Sequence, residues 1–388
     1  MYDFDKMVDR VNSDCCKWDE RQLTFGNPDL IPLWVADMDF EVLPELQEAM
    51  KARAAHPTYG YTFASPEYYE AIFNWNRERN GLELKKEELI PVPGVVTALG
   101  YAVHALTEPK DKIMVFTPVY NPFFEVVELS GRQLVKSPLL HCGSRFEIDF
   151  DNMEAQLKNG VKMVILCSPH NPVGRVWTLE EMTKVVDLCD QYGAYLFSDE
   201  IHSDIIFKGH KHHSLYTVSP KAEKIGIMTM APSKTFNIAG LKSSLIIIKN
   251  PEIRKKIKNW VDSFHTSLDL FAYKATEIVY AHGAQWCDEL NDYLLKNAEF
   301  VDQYLKENLP KVRSYVPEGT YLMWLDFSAY GLSQDELMHK MAFEANVGLN
   351  SGDKYGEEGQ GFVRFNIGCP RFLLEKALNQ IKDVFSQL

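Results

Sequence analysis

No GxGxxG and no GxxxxGKS motif occurs in these 388 residues, so dinucleotide and nucleoside-triphosphate readings have no motif behind them. No apolar stretch approaches the length of a membrane span. The opening MYDFDKMVDRVN has neither the basic start nor the apolar core of a signal peptide. Cysteine is scattered and odd in number, seven in all (Cys15, Cys16, Cys142, Cys167, Cys189, Cys287, Cys369), with no CxxC pair. A reducing, cytoplasmic setting is therefore expected, with Cys167 and Cys189 as core thiols in apolar segments. Positive charge is also in deficit. With 41 Lys and Arg against 54 Asp and Glu, the net charge of −13 argues against nucleic acid or an anionic membrane as a partner. It does not forbid a local basic pocket for an anion.

What is present is an ordinary globular composition, 46% hydrophobic and 24% charged. The chain is too long for one simple core. From about residue 95 strand and helix alternate. VVTALGYAVHAL reads as a helix, and KIMVFTP, VKMVILCSP, AYLFSDE, IGIMTM and SSLIIIK read as strands. Thr178 and Glu181 form a capping-box signature for a helix running to Gly193. The strands are short, continuously apolar and β-branched, as strands covered on both faces are. The predicted fold class is α/β: a large domain with a doubly wound, mostly parallel sheet, plus a smaller α+β domain. The expected boundaries are an N-terminal arm over 1–45 joining the small domain, a large domain over 46–281, and a small C-terminal domain over 282–388. In the last of these, SYVPEGTYLMWLDF is expected to be a strand pair and GFVRFNIG a further strand.

Ligands of such sheets bind beyond the carboxyl ends of the strands. Tyr120, Asn171, Asp199 and Lys234 all fall there. Lys234, in APSKTFNIAGLK, reads either as a surface charge or as a partly buried amine suited to imine formation with a carbonyl cofactor. Asp199, in FSDEIH, is a helix cap or the carboxylate partner of a pyridinium nitrogen. Asn171, in SPHNPVG, is a turn residue or an amide donor to a phenolate oxygen. Gly94-Val95-Val96-Thr97 precedes an apolar helix whose free amides suit a phosphate, with Ser233 and Lys242 able to complete the site. Arg364 interrupts an apolar strand; its partner is either a structural carboxylate or a substrate carboxylate held by the guanidinium fork. The histidines of GHKHHS (His210, His212, His213) read as an exposed loop, and Asp37 and Asp39 in VADMDF as a structural turn. No Ser–His–Asp set is evident, and no metal is expected.

The order GVVTAL, TPVY, SPHNPVG, SDEIH, SKTFNIAGL and FVRFNIGCPR resembles that of the fold-type-I pyridoxal-phosphate enzymes of the aspartate aminotransferase superfamily. VADMDF, HPTYGYT, SDEIH and YGEEGQGFVRFNIGCPR are similar, within it, to the MalY/PatB-type cystathionine β-lyases, or C–S lyases. The resemblance runs essentially end to end. It implies pyridoxal 5'-phosphate held covalently by Lys234, with Asp199 on the ring nitrogen, Asn171 on the ring oxygen and Tyr120 stacked on the ring. It further implies a phosphate bound by the Val95 and Val96 amides, Ser233 and Lys242, and a substrate α-carboxylate bound by Arg364. Tyr61, in YGYT, matches a tyrosine that reaches the neighbouring subunit's phosphate, which implies a homodimer. Lys242 departs from the pattern, standing where the aminotransferases carry an arginine and some of these lyases an uncharged residue. The implied reaction is elimination of a thiol from cystathionine or another cysteine S-conjugate, with transamination as the alternative. A purely regulatory role, known among relatives of this type, is not expected: no basic winged-helix segment is appended and the catalytic positions are intact.

Overall fold

In the computed structural model, which describes residues 2–388, a seven-stranded sheet organises the larger part of the chain. Its strands are β1 (Leu89–Val92), β2 (Lys112–Thr117), β3 (Gln133–Pro138), β4 (Val161–Cys167), β5 (Tyr195–Asp199), β6 (Gly226–Met230) and β7 (Ser244–Ile247), in the order β1-β7-β6-β5-β4-β2-β3. Only β7 runs against its neighbours. Within one strand, successive side chains enter different cores. Met114 and Phe116 of β2 join one cluster, Ile113 and Val115 the other. In β4, Val164 and Leu166 face one way and Met163, Ile165 and Cys167 the other. That two-sided burial is why these strands read as unbroken apolar runs.

The helices between strands carry the signals expected of them. Thr178 caps Leu179–Tyr192 through a complete capping box with Glu181, and Gly193 ends the helix in the left-handed region at φ 66°. The helix Val95–Leu106 buries Val95, Ala98, Leu99, Ala102 and Val103 against the sheet. Pro251–Ser263, Leu270–His282 and Ala284–Asn308 form the helical stretch that follows.

The C-terminal part is built on an antiparallel sheet of Leu322–Asp326, Phe362–Asn366 and Asn350–Ser351, packed with the helix Arg371–Phe385. Here the expected strand pair within SYVPEGTYLMWLDF is not formed. Only Leu322–Asp326 is a strand, and its partner is Phe362–Asn366. Pro317 lacks an amide to donate. At Gly319 a Cβ would lie 2.6 Å from the Ile205 carbonyl, so this stretch is drawn onto the large sheet's loops instead. The N-terminal segment crosses to the C-terminal part, where Ile31–Pro32 pairs in parallel with Val347–Gly348.

Candidate active site

Each parallel strand that delivers a polar group does so at its carboxyl end. Strand β5 terminates on Asp199. Strand β6 leads through Ala231 into the short helix Pro232–Thr235, which carries Ser233 and Lys234. Strand β4 leads to Asn171, β2 to Tyr120, and β1 to Gly94 and the start of Val95–Leu106. The antiparallel β7 begins at this same edge, just after Lys242. All of these residues, with Arg364 from the C-terminal sheet, line one cavity of about 330 Å³. That volume suits a small-molecule site. Of the site residues that the family resemblance implies, Tyr61 alone lies elsewhere. It is fully exposed, on a loop with the exposed Tyr59 and Phe63, and does not line this chain's own cavity.

Burial sets the electrostatics. Lys234 is held down to about 8, mainly by loss of solvent and next by the Arg364 charge, with Asp37 and Asp199 pulling the other way. Its Nζ donates to the Ala36 carbonyl at 2.8 Å. Burial pushes the Asp199 carboxyl up to about 7, despite a hydrogen bond from the Ile201 amide and the nearby Lys234. A buried, easily protonated carboxyl beside a half-buried, easily neutralised amine is the arrangement proton chemistry uses.

Arg364 is buried, 3% exposed, yet no carboxylate among the described residues pairs with it. Nη1 donates to Asn171 Oδ1 at 3.2 Å and Nη2 to the Trp34 carbonyl at 2.7 Å. The guanidinium lies over the Tyr355 ring at 5.3 Å, and its Nε has no partner. A buried cation with a free donor is costly unless an anion arrives.

At the other end of the cavity, Gly94 offers no side-chain cap to the helix Val95–Leu106, so its first amides stay free. Ser233 is buried beside them, and Lys242, at φ 46°, is exposed at the rim. Free amides, a hydroxyl and an ammonium make an anion cradle. The donor set fits pyridoxal phosphate: an amine for its carbonyl, a carboxyl for its ring nitrogen, an amide for its ring oxygen, an aromatic ring for its face and a cradle for its phosphate.

Several contributors escaped the sequence reading. The Ala36 and Trp34 carbonyls accept from Lys234 and Arg364, and backbone acceptors leave no side-chain signature. His202, three residues beyond Asp199, is 2% exposed in the cavity wall and is held neutral, its pKa lowered to about 3 by burial and by the Lys234 and Arg364 charges. Ser243 also lines the wall, but its hydroxyl is shared with Thr276 at 2.6 Å. Cys167, buried as expected, touches the cavity as well.

One loop reading needs correction. His212 is not part of an exposed loop: its side chain is 4% exposed and its Nε2 meets Glu200 Oε2 at 2.9 Å. Glu200 also accepts from Ser214 Oγ and the Leu215 amide, which fixes the turn directly below Asp199. Asp37 and Asp39 are structural, as expected, and their partners extend beyond the turn. Arg10 bonds both, Lys17 Nζ reaches Asp39 at 2.7 Å, and Trp18 Nε1 reaches it at 2.8 Å. This buried network anchors the arm that carries Ala36.

Comparison with known proteins agrees with this arrangement. Cystathionine beta-lyase PatB of Bacillus subtilis (strain 168) is 42% identical over 385 residues, covering 99% of this chain and 100% of that protein. The structure of cystalysin from Treponema denticola, which contains a pyridoxal 5'-phosphate cofactor, superposes with a TM-score of 0.96 at 33% identity, covering 100% and 99% of the two chains. That of the PLP-bound C-S lyase from Staphylococcus hominis gives 0.92 at 32% identity, covering 99% and 98%. The model for aminotransferase class I and II matches residues 28–381, and the chain belongs to that family.

Proposed function

We propose that this chain is a pyridoxal phosphate-dependent carbon–sulfur lyase that cleaves L-cystathionine or related cysteine S-conjugates, with water, to a thiol, pyruvate and ammonia. For cystathionine the thiol is homocysteine. The observation that carries this reading is the meeting of Lys234, Asp199, Asn171 and the unpaired Arg364 in one cavity. The lyase chemistry, as against others of the family, is supported by the names of PatB and of the Staphylococcus hominis C-S lyase, both similar along their whole length.

Lys234, Asp199, Asn171, Tyr120, Ser233, Lys242 and the Val95 and Val96 amides would hold the cofactor. Bound pyridoxal phosphate supplies an electron sink next to the substrate's Cα. Arg364 takes the α-carboxylate with the donor it has free, which fixes Cα relative to Lys234. Lys234 Nζ, in its neutral form, removes the Cα proton. The Cα–H and Cβ–S bonds break, a Cα–Cβ double bond forms, and the sulfur leaves as thiolate. Asp199 keeps the cofactor's ring nitrogen protonated and thereby strengthens the sink.

The active form is a homodimer in which Tyr61 reaches the partner's phosphate cradle; the exposed Tyr59, Tyr61 and Phe63 on one loop support this. Seven free cysteines support a reducing, cytoplasmic setting.

Incubation with cystathionine and no keto acid tests the reaction. Steady release of pyruvate and thiol is expected. A single conversion that stops until 2-oxoglutarate is added would instead identify an aminotransferase. Lys234→Ala should retain little turnover; near-normal turnover would sink the assignment of the base.

A further inference from the structure

The Ala36 carbonyl receives two hydrogen bonds at once, from Lys234 Nζ at 2.8 Å and from the Tyr321 hydroxyl at 2.9 Å. A carbonyl oxygen has two lone pairs, so this acceptor is full. We propose that Tyr321 is a positioning residue that acts through the Ala36 carbonyl, restricting the free Lys234 amine to one docking direction so that its lone pair faces the substrate Cα. The proposal rests on the lyase reading, in which Lys234 is the base.

The segment around Ala36 is held independently of Tyr321. Trp34 O accepts from Arg364 and from Asn350 Nδ2 at 2.7 Å. Asn366 Nδ2 bridges Val35 O at 2.6 Å and Asp37 O at 2.7 Å. Loss of the Tyr321 hydroxyl therefore leaves the segment in place and frees one lone pair of Ala36 O. The amine then has two acceptor directions instead of one. The carbonyl also becomes a better acceptor for the ammonium form, so the lysine should surrender its proton at higher pH.

The charged and titratable groups facing Lys234 are Arg364 from the C-terminal sheet, Asp37 from the arm, and Asp199 from β5. His202, from the turn after β5, is neutral, and burial pushes the Tyr321 phenol far up, so it stays protonated. Lys234 is thus the group whose ionisation responds to the hydroxyl.

The test is Tyr321→Phe, which keeps the ring that meets His202 edge-on at 5.8 Å and removes one oxygen. Two pH profiles are measured: kcat of the loaded enzyme, and the rate at which cofactor-free protein takes up pyridoxal phosphate, followed by absorbance. The acid limb of both should move upward by roughly half a pH unit to one unit. At pH 7, kcat should fall about tenfold while KM stays within about twofold, since Arg364 is untouched. Tyr315→Phe is the control. Its hydroxyl also bonds a carbonyl, Val173 O at 3.1 Å, outside the cavity, and its removal should leave both limbs in place. Superimposable profiles for Tyr321→Phe and the parent overturn the proposal but leave the lyase reading intact, because that reading depends on Lys234→Ala.

Discussion

Arg364 donates to the side-chain oxygen of Asn171 at 3.2 Å, so the group that can take a substrate carboxylate also decides which way the Asn171 amide faces. With Oδ1 engaged, Nδ2 is the atom left to donate to a cofactor oxygen. Substrate end and cofactor end are thereby joined through one hydrogen bond.

Arg364→Lys keeps the charge and loses the fork. Removing one partner of a buried charged contact costs about 3–4 kcal/mol. We expect kcat/KM to fall by roughly 10²- to 10³-fold, carried mostly by KM. Steady-state kinetics on an S-substituted cysteine measure it, and a variant with parental KM would remove Arg364 from carboxylate binding.

Asp199 makes the cofactor-free protein sensitive to pH. Burial pushes the folded carboxyl up to about 7 from its ordinary value of 3.8. Between those values the folded state holds a proton that the unfolded chain has released. Stability from this group is therefore present at low pH and lost as pH rises from about 4 to 7. In Asp199→Asn that slope should vanish. Urea unfolding of cofactor-free parent and variant should give a gap that changes by on the order of 3 kcal/mol across the window, in the variant's favour at pH 7.

Asn237 latches the lysine loop to the arm. It accepts from the Met38 amide at 2.9 Å and donates to Met38 O at 2.8 Å and Phe40 O at 3.0 Å, in a left-handed conformation at φ 56°. Asn237→Gly should lose about 2–4 kcal/mol for the three bonds. Asn237→Ala should lose about 1 kcal/mol more, because alanine resists that conformation. Denaturation midpoints decide it; equal midpoints for Ala and Gly would mean that backbone strain plays no part.

Mixing tests the shared site. Tyr61→Ala and Lys234→Ala, each inactive or nearly so, are unfolded together and refolded as an equal mixture. If Tyr61 serves the partner's cavity, half the dimers are hybrids with one intact site, and about a quarter of parental activity returns. No recovery would place Tyr61 in its own chain's site, and an active Tyr61→Ala would place it outside catalysis.

The sequence was most readable where chemistry-bearing side chains follow directly from strand ends. Tyr120, Asn171, Asp199 and Lys234 could be placed together because a parallel sheet sends every such loop to one edge. Contributions made by the backbone could not be read this way. Ala36 and Trp34 matter through their carbonyls, and nothing in the letters A or W announces an acceptor. His202 was hidden by standing beside the more conspicuous Asp199, although a turn of three residues was enough to return it to the same cavity. His212 looked like part of a polar loop because its partner, Glu200, was not recognised as a buried carboxylate needing donors. The missing strand before Leu322 has a similar cause: only the tertiary contact of Gly319 with Ile205 shows what takes the strand's place.

The pairing of Ile31–Pro32 with Val347–Gly348 has a consequence for biosynthesis. The arm that presents Ala36 to Lys234 leaves the ribosome long before the strands that seat it. Until residues near 366 emerge, Asn366 cannot bridge Val35 and Asp37, and Arg364 cannot reach Trp34. The cavity thus closes only after Arg364 and Asn366 have been made, and a product truncated before them lacks a finished site.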